Sequence, residues 1–261
     1  MEAAKTELLT LEIDENHVGI LTICNPPVNA FKLQMFDEID QIQHNPNVDW
    51  ASVRCLLIRS EGKFFSAGLD IGDLGWLDPL KISNLLPTYH AIYRWFQDAN
   101  FPVVMAIQKL CPGAGMEMLF ASDIAIAGES TKFQLPELNF GLAPDMGGTA
   151  RLARAVGPRA AKKILLVGDP FTAQEALQWD LVQYVVPDDE LDQFSRDLAL
   201  RLAKKSKWAM RFAKKGINCA AEGGMEAGLL VEQIQSTFCL GAEDKEEAVK
   251  AFFEKREPEF K

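Results

Sequence analysis

The sequence predicts an α/β fold with a mainly parallel sheet, followed by a helical C-terminal region. Three observations lead there. Strand-like runs alternate with helix-like runs through the first half of the chain. The connections between them are short, which implies crossover units joining neighbouring parallel strands. Beyond about Gly147 the spacing of apolar residues becomes helical almost to the end.

Leu8 to Ile13 alternates apolar and polar residues, the period of a half-buried strand, and Val18 to Ile23 is a second strand across an Asn16-His17 turn, so the chain opens with a β-hairpin. Asn25-Pro26-Pro27 breaks it. Leu33, Phe36, Ile39 and Ile42 recur three apart, which predicts a helix over 31–42. Val53 to Ile58 is apolar on both faces and suits a central strand covered on both sides. Phe64-Phe65 ends a short extended piece and Ser66-Ala67-Gly68 turns the chain. Pro79 to Gln97 reads as an amphipathic helix that Pro87 should kink. Val103 to Ile107 is a buried strand, Cys111 to Gly115 a turn, Met116 to Ala121 the start of a helix, and Ile124 to Ala127 a strand. Helices are then expected over 149–156, 158–167, 172–179, 191–204, 207–221, 225–238 and 244–255. Thr172 with Glu175 fits a capping box, and Asp244 and Glu246 suit the positive end of a helix dipole.

With 261 residues, 48% of them hydrophobic, the chain can bury a large core. A formal net charge of -10 disfavours a nucleic-acid partner, which needs a clustered basic face. The polar start and the lack of an apolar run near the roughly 20 residues of a membrane helix predict a cytoplasmic protein with no membrane partner. The five cysteines are widely spaced without a CxxC pair and read as reduced, mostly buried thiols. Neither they nor the three scattered histidines suggest a metal site.

No Walker A or G-x-S-x-G pattern occurs, and Gly113-Ala114-Gly115 is followed by Met118 where a dinucleotide fingerprint needs glycine. Three segments remain. Phe64 to Ile71 (FFSAGLDI) ends in small residues that can leave backbone N–H groups approachable; taken alone it reads rather as an ordinary strand-to-helix turn capped by Asp70. Cys111 to Glu117 (CPGAGME) sets a glycine-rich turn before a helix, where free N–H groups and the positive dipole end favour developing negative charge. Glu117 lies in that first turn; as an isolated residue it reads as a dipole partner. Phe133 to Leu138 (FQLPEL) carries Glu137 among apolar residues, which raises a carboxyl pKa toward the range of neutral-pH proton transfer. Asp145, in Pro144 to Gly148, is a third acid, with the N-cap of the following helix as the favoured role.

Together these segments resemble the crotonase (enoyl-CoA hydratase/isomerase) superfamily. The likeness covers nearly the whole chain in order and spacing: Asn25 to Phe31, FSAGLD, GAGMEM with Ala121-Ser122-Asp123, LPEL and PDMGGTARL. It implies a spiral core of stacked ββα turns over 1–200 and a helical region over 201–261 that makes trimers, which often pair into hexamers. It implies an acyl-CoA thioester substrate, with coenzyme A part of the substrate rather than a cofactor. The thioester oxygen would be held by the backbone N–H groups of Leu69 and Ala114, and Glu117 and Glu137 would match the two glutamates of the hydratases. Ala30, Lys32, Ala67, Gly68, Asp70, Ile71 and Gly113 would line the substrate groove, and Trp76, Leu77, Leu85, Leu86 and Tyr89 fall where relatives shape the acyl pocket. Hydration of the 2,3 double bond is the expected reaction. The alternatives are a double-bond isomerase, a short-chain hydroxyacyl-CoA thioester hydrolase using Asp145, and a non-catalytic RNA-binding or scaffold protein.

Overall fold

A computed structural model describes residues 2–74 and 78–260 of the chain. The predicted acyl-pocket positions Trp76 and Leu77 lie outside them. The chain opens with β1 (Glu2–Lys5), which pairs antiparallel with β2 (Leu9–Ile13); β2 in turn forms the predicted hairpin with β3 (Val18–Ile23). Periodicity does not reveal β1, because its residues are charged or small. Such a composition suits an edge strand.

Helix α1 (Leu33–Gln43) crosses to β4 (Cys55–Ser60), which lies parallel to β3. After α2 (Ile71–Leu74) and α3 (Pro79–Asp98), β5 (Val103–Ile107) pairs parallel with β4. Asp78 caps α3, its side chain accepting from the Leu80 N–H. The helix continues through Pro87, whose ring φ is itself helical. β6 (Leu110–Pro112) and α4 (Ala114–Leu119) lead to β7 (Ile124–Gly128), parallel to β5. The expected turn over 111–115 is therefore a short strand followed by a helix that starts two residues early.

β8 (Lys132–Gln134), α5 (Gly148–Lys162), β9 (Phe171–Thr172), α6 (Ala173–Gln178) and β10 (Tyr184–Val186) follow. The stretch after Gly147 is thus not purely helical: β9 and β10 are two and three residues long, too short to show a period. Gly157, at φ 77° and ψ 159°, interrupts α5 where the two helices were expected to part, and 163–167 forms a π-helical turn. The capping box at Thr172 and Glu175 forms as expected. The main sheet runs β1-β2-β3-β4-β5-β7-β10, parallel from β3 onward; β6, β8 and β9 form a small second sheet.

The alternation within β4 explains its apolar run. Leu56 and Ile58 enter a core with Phe31, Phe36, Tyr89 and Tyr93, while Cys55 and Leu57 face α7 (Leu191–Ala203) through Leu198 and Ala199. Tyr89 therefore belongs to the core, its ring 4.9 Å from Phe36. Of the five free cysteines only Cys55 and Cys111 are fully buried, fewer than expected. No described helix is long and apolar enough to cross a membrane.

The chain ends in α8 (Lys207–Gly223), α9 (Met225–Leu240) and α10 (Glu243–Glu254). α8 is pinned to the core by Lys214, whose side chain is 8% exposed. Its ammonium donates to Asp123 at 2.6 Å and to the carbonyls of Phe96 and Phe101 at 2.9 and 3.0 Å. Burial pushes the Lys214 amine down and the Asp123 carboxyl up, and their mutual attraction opposes both shifts. Removing one partner leaves a buried charge and two carbonyls unpaired. Lys214→Met should therefore lower unfolding stability by about 3 kcal/mol, measured from the urea midpoint; a loss under about 1 kcal/mol would mean that the contact does not anchor α8.

Candidate active site

The segment 65–70 is fastened on both edges. Phe65 and Ser66 donate to the carbonyls of Gln108 and Leu110 at 2.9 and 3.1 Å, and Ala67 donates to Val28 at 2.9 Å. The loop before α1 is shaped to receive it. The Asn29 side chain accepts from the Asn25 N–H at 2.8 Å and donates to the carbonyls of Glu61 and Phe64 at 2.7 and 2.8 Å. Phe31 then bridges residue 69 in parallel: its N–H donates to Gly68 O, and its carbonyl accepts from Asp70 N, both at 2.8 Å. Since Gly68 O and Asp70 N both point to residue 31, the intervening Leu69 N–H is turned the other way.

Ala114 is the first residue of α4, so its N–H is one of the donors that a helix start leaves without an intrahelical partner. Among the described residues, neither Leu69 N–H nor Ala114 N–H has a backbone or side-chain acceptor. The turn between β6 and α4 depends on Gly113, at φ 50° and ψ -120°, a conformation that an L side chain resists. A Cβ there would also lie 3.1 Å from Glu137 Oε1 and 4.0 Å from Gly68 Cα. One point beside Gly113 therefore touches all three sequence segments.

Glu117 sits one turn into α4 and is 4% exposed. Its Oε1 accepts from the N–H groups of Met146 and Gly148 at 2.9 and 3.0 Å. Burial pushes the carboxyl up to about 7; the two amides restrain the rise, and the charges of Glu137 and Asp145 add to it. Glu117 lies in the first turn of α4, where a dipole partner is expected, and its burial against two amides adds to that role. Glu137 opens a 3-10 turn, Glu137–Phe140. Partial burial, then the charge of Asp145, raises its carboxyl, while its own backbone N–H opposes the rise. Its Oε2 is buried with no hydrogen-bond partner among the described residues.

Asp145 does not cap the helix. Gly147 holds the N-cap position of α5, with φ 98° and no side-chain cap bond, because the chain turns sharply through Gly147-Gly148 after Asp145 has passed. The Asp145 side chain stands exposed at the rim, yet the surrounding protein raises its carboxyl, desolvation first, with His90 opposing. Asp70 does act as a local cap, its Oδ1 accepting from Gly72 N at 2.8 Å at the start of α2. Ile71 follows at 64% exposure. Ala30, Lys32 and Ala67 are half-buried on the segments around Gly68. Among the described residues no group of three His, Cys, Asp or Glu side chains is placed to hold a metal ion.

Sequence reasoning did not find the two amides behind Glu117. The Gly147-Gly148 pair was the available signal: a Cβ at Gly148 would lie 2.7 Å from Glu117 Oε1. It also missed Tyr93, buried in α3, whose hydroxyl donates to Ala114 O at 3.2 Å.

Parallel strands flanked by helices, with the Gly68 turn, the start of α4 and the Glu137 carboxyl meeting beside Gly113, define a protein of the crotonase fold. The backbone agrees closely with the crystal structure of an enoyl-CoA hydratase from Bacillus anthracis: TM-score 0.91, 27% identity, 98% of this chain and 99% of that one. Residues 14–261 match the family model described as enoyl-CoA hydratase/isomerase, and the chain belongs to that family. Curated relatives include the 2,3-dehydroadipyl-CoA hydratase of Escherichia coli, 32% identical over 95% of this chain and 96% of that one. Another is the mitochondrial Delta(3,5)-Delta(2,4)-dienoyl-CoA isomerase of Dictyostelium discoideum, 29% identical over 95% of this chain and 89% of that one.

The raised Glu117 carboxyl has a thermodynamic consequence. Between its ordinary 4.5 and about 7 the folded chain holds a proton that the unfolded chain has lost, so stability falls as pH rises through that window. At roughly 1.4 kcal/mol per pH unit the loss reaches at most about 3.5 kcal/mol. Glu117→Gln should therefore unfold at a higher temperature than the parent at pH 8 and at nearly the same temperature at pH 4.5. A difference that does not change with pH would show that Glu117 titrates normally.

Proposed function

We propose that this chain hydrates the 2,3 double bond of an enoyl-CoA thioester. The observation that carries the proposal is the meeting, beside Gly113, of the Gly68–Leu69 turn, the start of α4 and the Glu137 carboxyl. In the proposed reaction the Leu69 and Ala114 N–H groups donate to the thioester oxygen and stabilise the enolate that forms as Cβ is attacked. One such donor contributes about 3 kcal/mol. Glu117 and Glu137 hold the water between them: one carboxylate takes a proton as the oxygen bonds to Cβ, and a proton is delivered to Cα on the same face. Overall, OH adds to Cβ and H to Cα, with no oxidation or reduction. The two carboxyls form a coupled pair, so the first base is not assigned to one of them. The unpartnered Glu137 Oε2 is suited to the water, and Glu117, raised to about 7, is suited to exchanging a proton near neutrality. Ala30, Lys32, Ala67, Gly68, Asp70, Ile71 and Gly113 would line the groove for the ester, and the scheme calls on no cofactor beyond the CoA that the substrate carries.

A second reading rests on Asp145, a third acid whose charge raises both glutamates. A proton could be shuttled between carbons by Glu137 and Asp145, which would make the reaction an isomerisation, as the name of the Dictyostelium relative suggests. We also propose that residues 201–261 form the oligomerisation region, as a trimer or a dimer of trimers. On α10, Phe252 and Phe253 are each 78% exposed, and Ile217, Leu230, Ile234 and Leu240 add to the uncovered apolar surface of α8 and α9. Sedimentation should give a mass near three or six chains.

Glu117→Gln and Glu137→Gln should each lower hydration by about 10²–10⁴-fold while CoA-ester binding is kept. Product mass decides the reaction: hydration adds one water, isomerisation adds none, and hydrolysis releases free thiol. If Asp145→Asn abolishes turnover while Glu117→Gln does not, the hydratase reading fails.

A further inference from the structure

Glu117 is held from behind by the first and third of three successive peptides, and every carbonyl of the three is itself held. The peptide that donates Met146 N–H to Glu117 has its carbonyl, Asp145 O, bonded to His90 Nε2 at 2.5 Å. The next carbonyl, Met146 O, accepts from Arg151 Nη1 at 2.9 Å. The third peptide gives Gly148 N–H to Glu117, and its carbonyl, Gly147 O, accepts from the Arg151 backbone N–H at 2.8 Å. The middle peptide thus lies between two donor peptides, and among the described residues Arg151 alone fastens it.

We propose that Arg151 is a positioning residue for Glu117, braced by Gln97 of α3 and, through Gln97, by Glu222 of α8. Arg151 Nε donates to Gln97 Oε1 at 3.2 Å, and Gln97 Nε2 donates to Glu222 Oε1 at 2.6 Å. Glu222 is further held by Arg94 at 2.8 Å. Two features single out Arg151 as built for this role. Its guanidinium is half-buried and occupies the space that a side chain at Gly147 would fill, so the glycine and the arginine fit only as a pair. Gln97 also shares a face of α3 with His90 and Tyr93, at spacings of seven and four; His90 fastens the first donor peptide, and Tyr93 fastens the carbonyl of Ala114. One helix face therefore sets both the carboxyl and the N–H side of the cleft. A planar guanidinium can bind Gln97 and Met146 at once, whereas a lysine ammonium cannot match that fork.

The inference rests on the proposed role of Glu117, so its test reads the carboxyl directly. The charged and titratable groups facing Glu117 are Glu137 from the 3-10 turn, Asp145 from the loop, Arg151 from α5 and Tyr93 from α3. In protein labelled with carboxyl-13C glutamate, with Glu117→Gln identifying the resonance, Arg151→Met and Gln97→Leu should move the Glu117 midpoint above that of the parent, because loosened amides no longer favour the carboxylate. Arg151→Lys keeps the charge but not the fork, and should move it in the same direction. Turnover should fall by about 10²-fold in Arg151→Met with KM nearly unchanged. If folded Gln97→Leu and Arg151→Lys both titrate like the parent, Arg151 acts at most through its charge and the proposal is overturned. Those two variants decide the matter even if Arg151→Met fails to fold. The titration needs no turnover: a shifted midpoint in a protein that hydrates no enoyl ester would overturn the proposed reaction and leave the positioning role standing.

Discussion

A carboxyl group placed where water cannot reach it must either give up its charge or receive hydrogen bonds from the protein. Glu117 is held between these outcomes. Burial drives its proton affinity up by a large margin, and two backbone amides pull it part of the way back. The result is an acid poised near neutrality on a short helix whose first N–H has no acceptor among the described residues. Much of the surrounding structure follows from that placement. The helix must start at a glycine with an unusual backbone, the loop behind it must turn through two glycines, and the carbonyls of that loop must be tied down so that its amides stay aimed.

The sheet holds this placement from both sides. Its parallel strands are covered on both faces, so their register is set by packing on two sides at once. The segment 65–70 inherits that rigidity because its neighbours on each edge continue from strands or their connections. A donor N–H on a loose loop would have to be ordered during the reaction; one fastened along both edges is ordered beforehand, which is the condition for electrostatic stabilisation of a developing charge.

The C-terminal helices share in this arrangement. Lys214 ties α8 to the Phe96 carbonyl of α3, to the Phe101 carbonyl between α3 and β5 and to the loop before β7, and Glu222 on the same helix meets Arg94 and Gln97 of α3. α3 is therefore clasped between the helical region and the site, and a displacement of α8 has a short polar route to the loop behind Glu117.

Much of this was legible in the amino-acid sequence. The hairpin, the two-sided central strand, the amphipathic α3, the helical end and the capping box at Thr172 are local matters of period and propensity, and each formed close to its expected bounds. The three segments that meet at the cleft could also be picked out, since glycine-rich turns and an acid among apolar neighbours are unusual locally. Local order could not decide what lies opposite what. The strands β1, β9 and β10 owe their existence to partners far along the chain, and two or three residues carry no period of their own. Asp145 has the chemistry of an N-cap, but the backbone turned at Gly147 and left it at the rim. Nothing local marked Glu117 as more than a dipole partner; the Met146 and Gly148 amides that reach its oxygen lie 29 and 31 positions further along the chain. Residue type and spacing set which groups are available; desolvation and hydrogen-bond geometry, which give those groups their proton affinity, exist only once distant segments pack.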